Sequence, residues 1–190
     1  MRILLVNQFF HPDVSATAQL LTDLAVDLAA RGEHVSVLTG QGSYLGGGGT
    51  LPADEEYRGV RIHRARSTHL GRGSIPRRVV DYGTFLAATG RGLFRDPPPD
   101  LVIALSTPPL VSLVGGLGGR ARRSRFIYWV QDLYPDVAVA FGLLRPKSAA
   151  TRTFEQLSRA SLQLADRVVA IGESMGERLV GKGSRAIGCG

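Results

Sequence analysis

The first forty residues constrain the fold more than any other stretch. "RILLVN" is a short apolar run, "ATAQLLTDLAVDLAARG" carries apolar residues at helical spacing, and "HVSVLTG" is a second apolar run. A strand, a helix and a strand within so short a segment form a βαβ unit. Its strands run parallel, because the helix carries the chain back to the starting edge. In that helix Leu20, Leu24 and Leu28 share a face, with Leu21 and Ala25 beside them. Ser15 is placed to cap its first turn and Gly32 to end it.

The alternation continues along the chain. Residues 40–56, with "GGGG" and "PADEE", read as a flexible loop, and "YRGVRIHRAR" reads as a third strand. Residues 75–94 carry Ile75, Val79, Tyr82 and Leu86 at helical spacing, against Gly83, Gly90 and Gly92, which weaken a helix by roughly 1 kcal/mol each. "LVIAL" is a buried strand, "TPPLVSLVGGLGGRARR" a helix that starts on prolines, and "RFIYWVQ" another strand. A helix over 147–165, a strand at "RVVAI" and a short helix at "GESMGERLVG" complete the series. This pattern predicts an α/β domain, a Rossmann-like open, mostly parallel sheet with helices on both faces. The last residues, "GKGSRAIGCG", begin one more strand and end as though cut.

With 190 residues, 44% hydrophobic and 21% charged, the chain is sized for one soluble globular domain. Its longest apolar stretch, residues 110–119, is too short and glycine-rich to span a bilayer, and Asn7-Gln8 breaks the N-terminal apolar run, against a signal peptide. The single cysteine, Cys189, fits a reducing compartment, so a cytoplasmic protein is expected. The net charge of +7 is almost entirely arginine. Between Arg58 and Val80 stand seven arginines, two histidines and no acid. That stretch would attract nucleic acid, an anionic membrane or a phosphorylated substrate. Arg72, Arg77 and Arg78 beside the Val79/Tyr82/Phe85/Leu86 face suit a membrane interface or lipid phosphate, with a solvated face as the alternative. The arginines at 120, 122, 123 and 125 are explained by a helix C-terminus. Nucleic acid is disfavoured, for want of interleaved stacking aromatics.

In open parallel sheets, ligands bind beyond the carboxyl ends of the strands, which makes the loops 7–15, 106–109 and 131–137 eligible. Gln131 and Asp132 fall where a buried strand reaches this edge, although Asp132 could instead cap the following turn. The first loop lacks G-x-G-x-x-G, and no P-loop or nucleophile elbow is present, which disfavours a dinucleotide-binding dehydrogenase, a P-loop nucleotidase and an α/β-hydrolase. Ser15, Ala16 and Thr17 open a helix, whose N–H groups could hold an anion or simply be capped. His11 is a lone loop histidine, and the other histidines and Cys189 lack ligand spacing, so no metal site is expected.

Taken in order, "MRILLVNQFFHPDVSATAQLLTDLAVDLAARGEHVSVLTG", "YRGVRIHRAR", "DLVIALSTPPL", "YWVQDLYPDVAVAFGLL" and "ADRVVAIGESMGERL" resemble the N-terminal half of family 4 glycosyltransferases. Within that family it looks like the bacterial group that builds capsule, O-antigen and exopolysaccharide repeat units. The resemblance implies the acceptor-side half of a GT-B fold over residues 1–190, with metal-independent, retaining transfer and no cofactor beyond a nucleotide-sugar donor. It implies a polyprenyl-diphosphate-linked glycan acceptor at the inner face of the cytoplasmic membrane. It also implies a donor-binding domain, in the same or another chain, that would begin shortly after residue 190; without it this chain should not transfer sugar at a useful rate.

By position, Ser15-Ala16 stands where relatives carry a Gly-Gly pair near the donor diphosphate, with Thr17 following. Gln131-Asp132 stands where many relatives have His-Asp, which makes Asp132 the candidate to contact the acceptor hydroxyl or the transferred sugar and Gln131 a hydrogen-bonding group beside it. His11, Asp13, Tyr134 and Asp136 are the remaining cleft candidates. A truncated, non-catalytic module that docks on a membrane or partner is the alternative reading.

Overall fold

A computed structural model describes residues 1–42, 51–68, 70, 74–184 and 187–189. The Gly46–Gly49 run, His69 and Arg72 lie outside them. In chain order the elements are β1 (Arg2–Val6), α1 (Ala16–Ala30), β2 (His34–Gly40), β3 (Asp54–Tyr57), β4 (Val60–Ala65), α2 (Ile75–Gly92), β5 (Leu101–Ala104) and α3 (Val111–Ala121). β6 (Arg125–Val130), α4 (Asp136–Ala140), α5 (Ala149–Leu164), β7 (Arg167–Ala170), α6 (Glu173–Gly181) and β8 (Ile187–Cys189) follow.

The strands form one sheet in the order β3-β4-β2-β1-β5-β6-β7-β8. All neighbours are parallel except β3 and β4. From β1 the chain builds outward to β2 and β4, then returns to place β5 on β1's other side. The strand order therefore reverses between β1 and β5, and in open α/β sheets ligands bind in the crevice beyond the carboxyl ends at such a switch point.

The central strands are apolar along their length because both faces are covered. Ile3 and Leu5 of β1 join Val35, Val37, Ile62, Leu21 and Ala25 in one buried cluster under α1. Leu4 and Val6 face the other way, into a cluster with Phe85 of α2, Val111 of α3, Leu162 of α5 and Leu179 of α6. Among the described residues α1 is the one helix that adds buried side chains to its face. Beyond its reach Ile127, Trp129 and Val169, on β6 and β7, are only half-buried.

Some local expectations change. The "PADEE" segment contributes an antiparallel edge strand, β3, which pairs with β4 through a turn at Arg58 and Gly59. Both turn residues have positive φ, 49° and 80°, the geometry of a two-residue hairpin and the reason a glycine stands second. Gly32, at φ 86°, ends α1 as expected. Ser15 does not cap it: the Asp13 carboxylate takes the Ser15 N–H at 2.9 Å, and the Ser15 hydroxyl makes no capping bond. In α1 the buried stripe is Ala18, Leu21 and Ala25, while Leu20 is exposed. No helix among the described residues is long and apolar enough to cross a membrane.

Candidate functional site

Three loops meet at the carboxyl edge of the sheet. The β1–α1 loop is tied to the β5–α3 loop by Gln8 N–H donating to the Thr107 carbonyl at 2.9 Å, and to the end of β2 by Gly40 N–H donating to Gln8 O at 2.9 Å. Asn7, fully buried, holds the first loop from inside by donating its Nδ2 to Phe9 O at 2.7 Å. The β5–α3 loop in turn holds the β6–α4 loop. The Ser106 hydroxyl, 1% exposed, accepts the N–H of Gln131 at 3.1 Å and of Asp132 at 3.0 Å.

Asp132 is half-buried, and among the described residues its carboxylate has no hydrogen-bond or ion-pair partner. Burial raises the carboxyl above the ordinary aspartate value. The amide nitrogen of Gln131 is buried next to it, also without a partner. Folded proteins normally pair such groups, because an unpaired buried polar atom costs on the order of 1–3 kcal/mol. That cost falls on the Gln131 amide; beside it stands a half-buried carboxylate with no protein partner among the described residues, and the two at consecutive positions on the ligand edge of an α/β sheet make a candidate site.

Tyr134 lies in the same neighbourhood. Its phenol is pushed up to about 12, first by burial and then by the charge of Asp132, and its ring meets Phe154 edge-on at 6.1 Å. Tyr128, buried beneath, is also shifted up by burial, with Ser112 as a hydrogen-bond partner. The other candidates are placed differently. The Asp136 carboxylate is engaged by Lys182 Nζ at 2.6 Å, so it braces α4 against the end of α6. The ring of His11 stacks on Tyr57 at 3.7 Å, and burial lowers its pKa. Tyr57 belongs to β3, five strand positions from β6 and about 24 Å across the sheet. His11 is turned away from Asp132.

Asp13 shapes the start of α1 through its bond to Ser15. There the Ser15 hydroxyl is buried without a partner, and the N–H groups of Ala16 and Thr17 have no preceding turn to bond. Arg77 and Arg78 stand exposed in the first turn of α2. Nearby, the Asp81 carboxylate accepts from the Thr68 hydroxyl at 2.7 Å and the Leu70 N–H at 3.0 Å, which fastens the segment entering that helix.

The arginine stretch from 58 to 78 is not one basic surface. The Arg64 side chain is 0% exposed and pairs with Glu55 at 2.7 Å. It also donates to Pro52 O at 3.1 Å and His11 O at 2.8 Å. Sequence reasoning missed both Arg64 and Ser106. The period-two pattern Val60, Ile62, Arg64 did carry the first signal, since it puts the arginine on the buried face. Ser106 stood in an eligible loop without a feature to single it out.

The model of the family described as "Glycosyl transferase 4-like domain" matches residues 16–187. The chain belongs to that family. No curated protein matches it. Among solved structures, sucrose-phosphate synthase from Thermosynechococcus elongatus is similar with a TM-score of 0.62 and 15% identity, over 100% of this chain and 47% of that one. Anabaena HepE in complex with UDP-glucose has a TM-score of 0.57 and 14% identity, over 100% and 43%. This glycosyl transferase 4-like domain thus has the fold of the N-terminal half of GT-B glycosyltransferases, and spans about half the length of those two proteins.

Proposed function

We propose that this chain is the acceptor-side half of a retaining, nucleotide-sugar-dependent glycosyltransferase of cell-surface polysaccharide synthesis. It works with a donor-binding domain, in the same or another chain, across the crevice between β1 and β5. The observation that carries the reading is the unpaired, half-buried carboxylate of Asp132, fixed at the ligand edge by Ser106 in a glycosyl transferase 4-like domain.

In this reading Asp132 accepts a hydrogen bond from the acceptor hydroxyl and takes up its proton as that oxygen bonds to the anomeric carbon. Meanwhile the bond to the nucleoside diphosphate breaks and the diphosphate leaves from the same face of the sugar, which retains the configuration. Burial suits it to that role, because a raised pKa makes a carboxylate a stronger base. The unpaired amide of Gln131 donates to a sugar oxygen. The first turn of α1, with the Ser15 hydroxyl and the N–H groups of Ala16 and Thr17, faces the donor diphosphate, where the positive end of a helix favours negative charge. The acceptor is a polyprenyl-diphosphate-linked glycan at the inner face of the cytoplasmic membrane. The exposed first turns of α2, with Arg77, Arg78, Val79 and Val80, meet the anionic lipid surface. UDP-glucose in HepE, a neighbour in fold, supports the choice of a nucleotide-sugar donor.

The test is transfer from a panel of nucleotide sugars to membrane-extracted polyprenyl-diphosphate glycans by this domain joined to its donor half. Asp132→Asn should lower kcat by about a hundred-fold or more. Undiminished transfer by that variant overturns the assignment of Asp132. Sustained turnover by the 190-residue chain alone overturns the half-enzyme reading.

A further inference from the structure

Between α4 and α5 the chain makes a turn whose surface chemistry differs from that of its surroundings. Phe141 is 78% exposed and Leu143 53%. Arg145, Lys147 and Arg152 follow, all exposed. From Val137 to Phe154 the sequence has no acidic residue, and among the described residues none of these three cations has a carboxylate partner.

The turn is built, not frayed. Gly142 and Lys147 adopt positive φ, 69° and 59°. The N–H groups of Leu143 and Leu144 both donate to Ala138 O, at 2.9 and 3.2 Å. The Thr151 hydroxyl donates to Arg145 O at 2.7 Å, and the Ser148 hydroxyl caps α5 by accepting from Thr151 N–H at 3.2 Å. A turn braced by these bonds holds a phenyl ring and an isobutyl group out in water. Single exposed apolar residues are ordinary on a protein surface. A phenylalanine and a leucine displayed together on a braced turn, beside three unpaired cations, match the chemistry of a lipid interface, where apolar tips enter the acyl boundary and cations meet headgroup phosphates.

We infer that the 141–147 turn is a membrane-inserting wedge: Phe141 and Leu143 enter an anionic bilayer while Arg145, Lys147 and Arg152 take its phosphates. The inference rests on the reading that this domain works at a membrane surface, and is independent of the transfer chemistry. Together with α2 it provides two separated contacts. α2 begins beyond the carboxyl end of β4 and the wedge lies beyond that of β6, so both belong to the edge that carries Asp132. One contact would leave the domain free to pivot; two fix how the crevice meets the lipid surface.

Sedimentation of the 190-residue chain with phosphatidylcholine vesicles, with and without phosphatidylglycerol, tests it. Phe141→Ser combined with Leu143→Ser should lower partition onto the anionic vesicles about ten-fold. Arg145→Gln combined with Lys147→Gln should lower it by about five-fold per charge removed, and should leave binding to neutral vesicles unchanged. Both pairs are exposed, and unchanged thermal unfolding would show that the fold is intact. If the Phe141/Leu143 variant partitions like the wild type while Val79→Ser with Val80→Ser abolishes binding, the wedge is wrong and the membrane reading stands. If the unmodified chain binds neither vesicle, both fail.

Discussion

The hydroxyl oxygen of Ser106 accepts the backbone N–H of Asp132 at 3.0 Å, and that of Gln131 at 3.1 Å, across from a neighbouring strand. One oxygen thereby fixes the point where β6 stops and the candidate site begins. Replacing Ser106 by Ala leaves two N–H groups unpaired in a site the serine now occupies with only 1% exposure. Such groups cost about 1–3 kcal/mol each when no water reaches them. Ser106→Ala should lower unfolding free energy by about 2 kcal/mol in urea titration. Acceptor KM should rise as Asp132 loses its fixed position. A stability change without a KM change would limit Ser106 to folding.

Asp132 itself should make the protein less stable at neutral pH. Burial raises its folded-state pKa above the ordinary value of 3.8. Between 3.8 and the raised value, the native state holds more protons than the unfolded state, so stability falls as pH rises through that window and stays reduced above it. Asp132→Asn removes the charge. Its melting temperature should exceed that of the wild type at pH 7, and the difference should vanish below the ordinary aspartate value. A functional carboxylate left unpaired in this way sacrifices stability for chemistry, whereas an aspartate that caps a helix would show the opposite sign. Thermal melts at the two pH values decide between them.

The β-α alternation was legible because the central strands β1 and β5 are buried on both faces, which forces the runs "ILLV" and "LVIA" to be apolar. β3 was not: its residues, "DEEY", sit at the exposed edge, where only backbone pairing with β4 is needed. The position of Gln131 and Asp132 could be read from the sequence, since a buried strand ending in polar residues marks a sheet edge. What holds them could not, because Ser106 comes from a separate loop and acts on backbone atoms. Arg64 looked like one more surface cation because its acceptors, Pro52 O, His11 O and Glu55, come together only in the fold.

The glycines give a contrast that separates packing from helix propensity. On α3, a Cβ at Gly116 would lie 2.8 Å from a ring carbon of Phe126, itself 2% exposed. The ring is wedged between helix and sheet and has little room to move. Gly116→Ala should therefore destabilise by about 1–3 kcal/mol. At Gly83, inside α2, nothing lies within 4 Å of the added carbon. There alanine's helix preference acts unopposed, and Gly83→Ala should stabilise by up to about 1 kcal/mol. Chemical denaturation of the two variants should give shifts of opposite sign; the same sign for both would mean that propensity alone governs α3.

Arg64 is the buried clamp that joins the β1–α1 loop to the β3–β4 hairpin. Its guanidinium reaches Glu55, Pro52 O and His11 O at once, and its Nε is buried without a partner. Arg64→Met keeps much of the stem's volume but leaves two carbonyls unpaired and frees the Glu55 carboxylate, itself about one-third exposed, to turn to water. The loss should be about 2–3 kcal/mol, below that of a fully buried pair because of Glu55's exposure. Arg64→Lys retains the charge without the fork and should recover only part of this. The effect should also be local. The amides of Asp13 and Ser15, bonded to Phe10 O and to the Asp13 carboxylate, should exchange faster with deuterium in Arg64→Met, beyond any change in the middle of α1. Faster exchange confined to those amides would identify Arg64 as the residue that holds the loop before α1 in place, and a uniform increase along α1 would reduce it to a general contributor to stability.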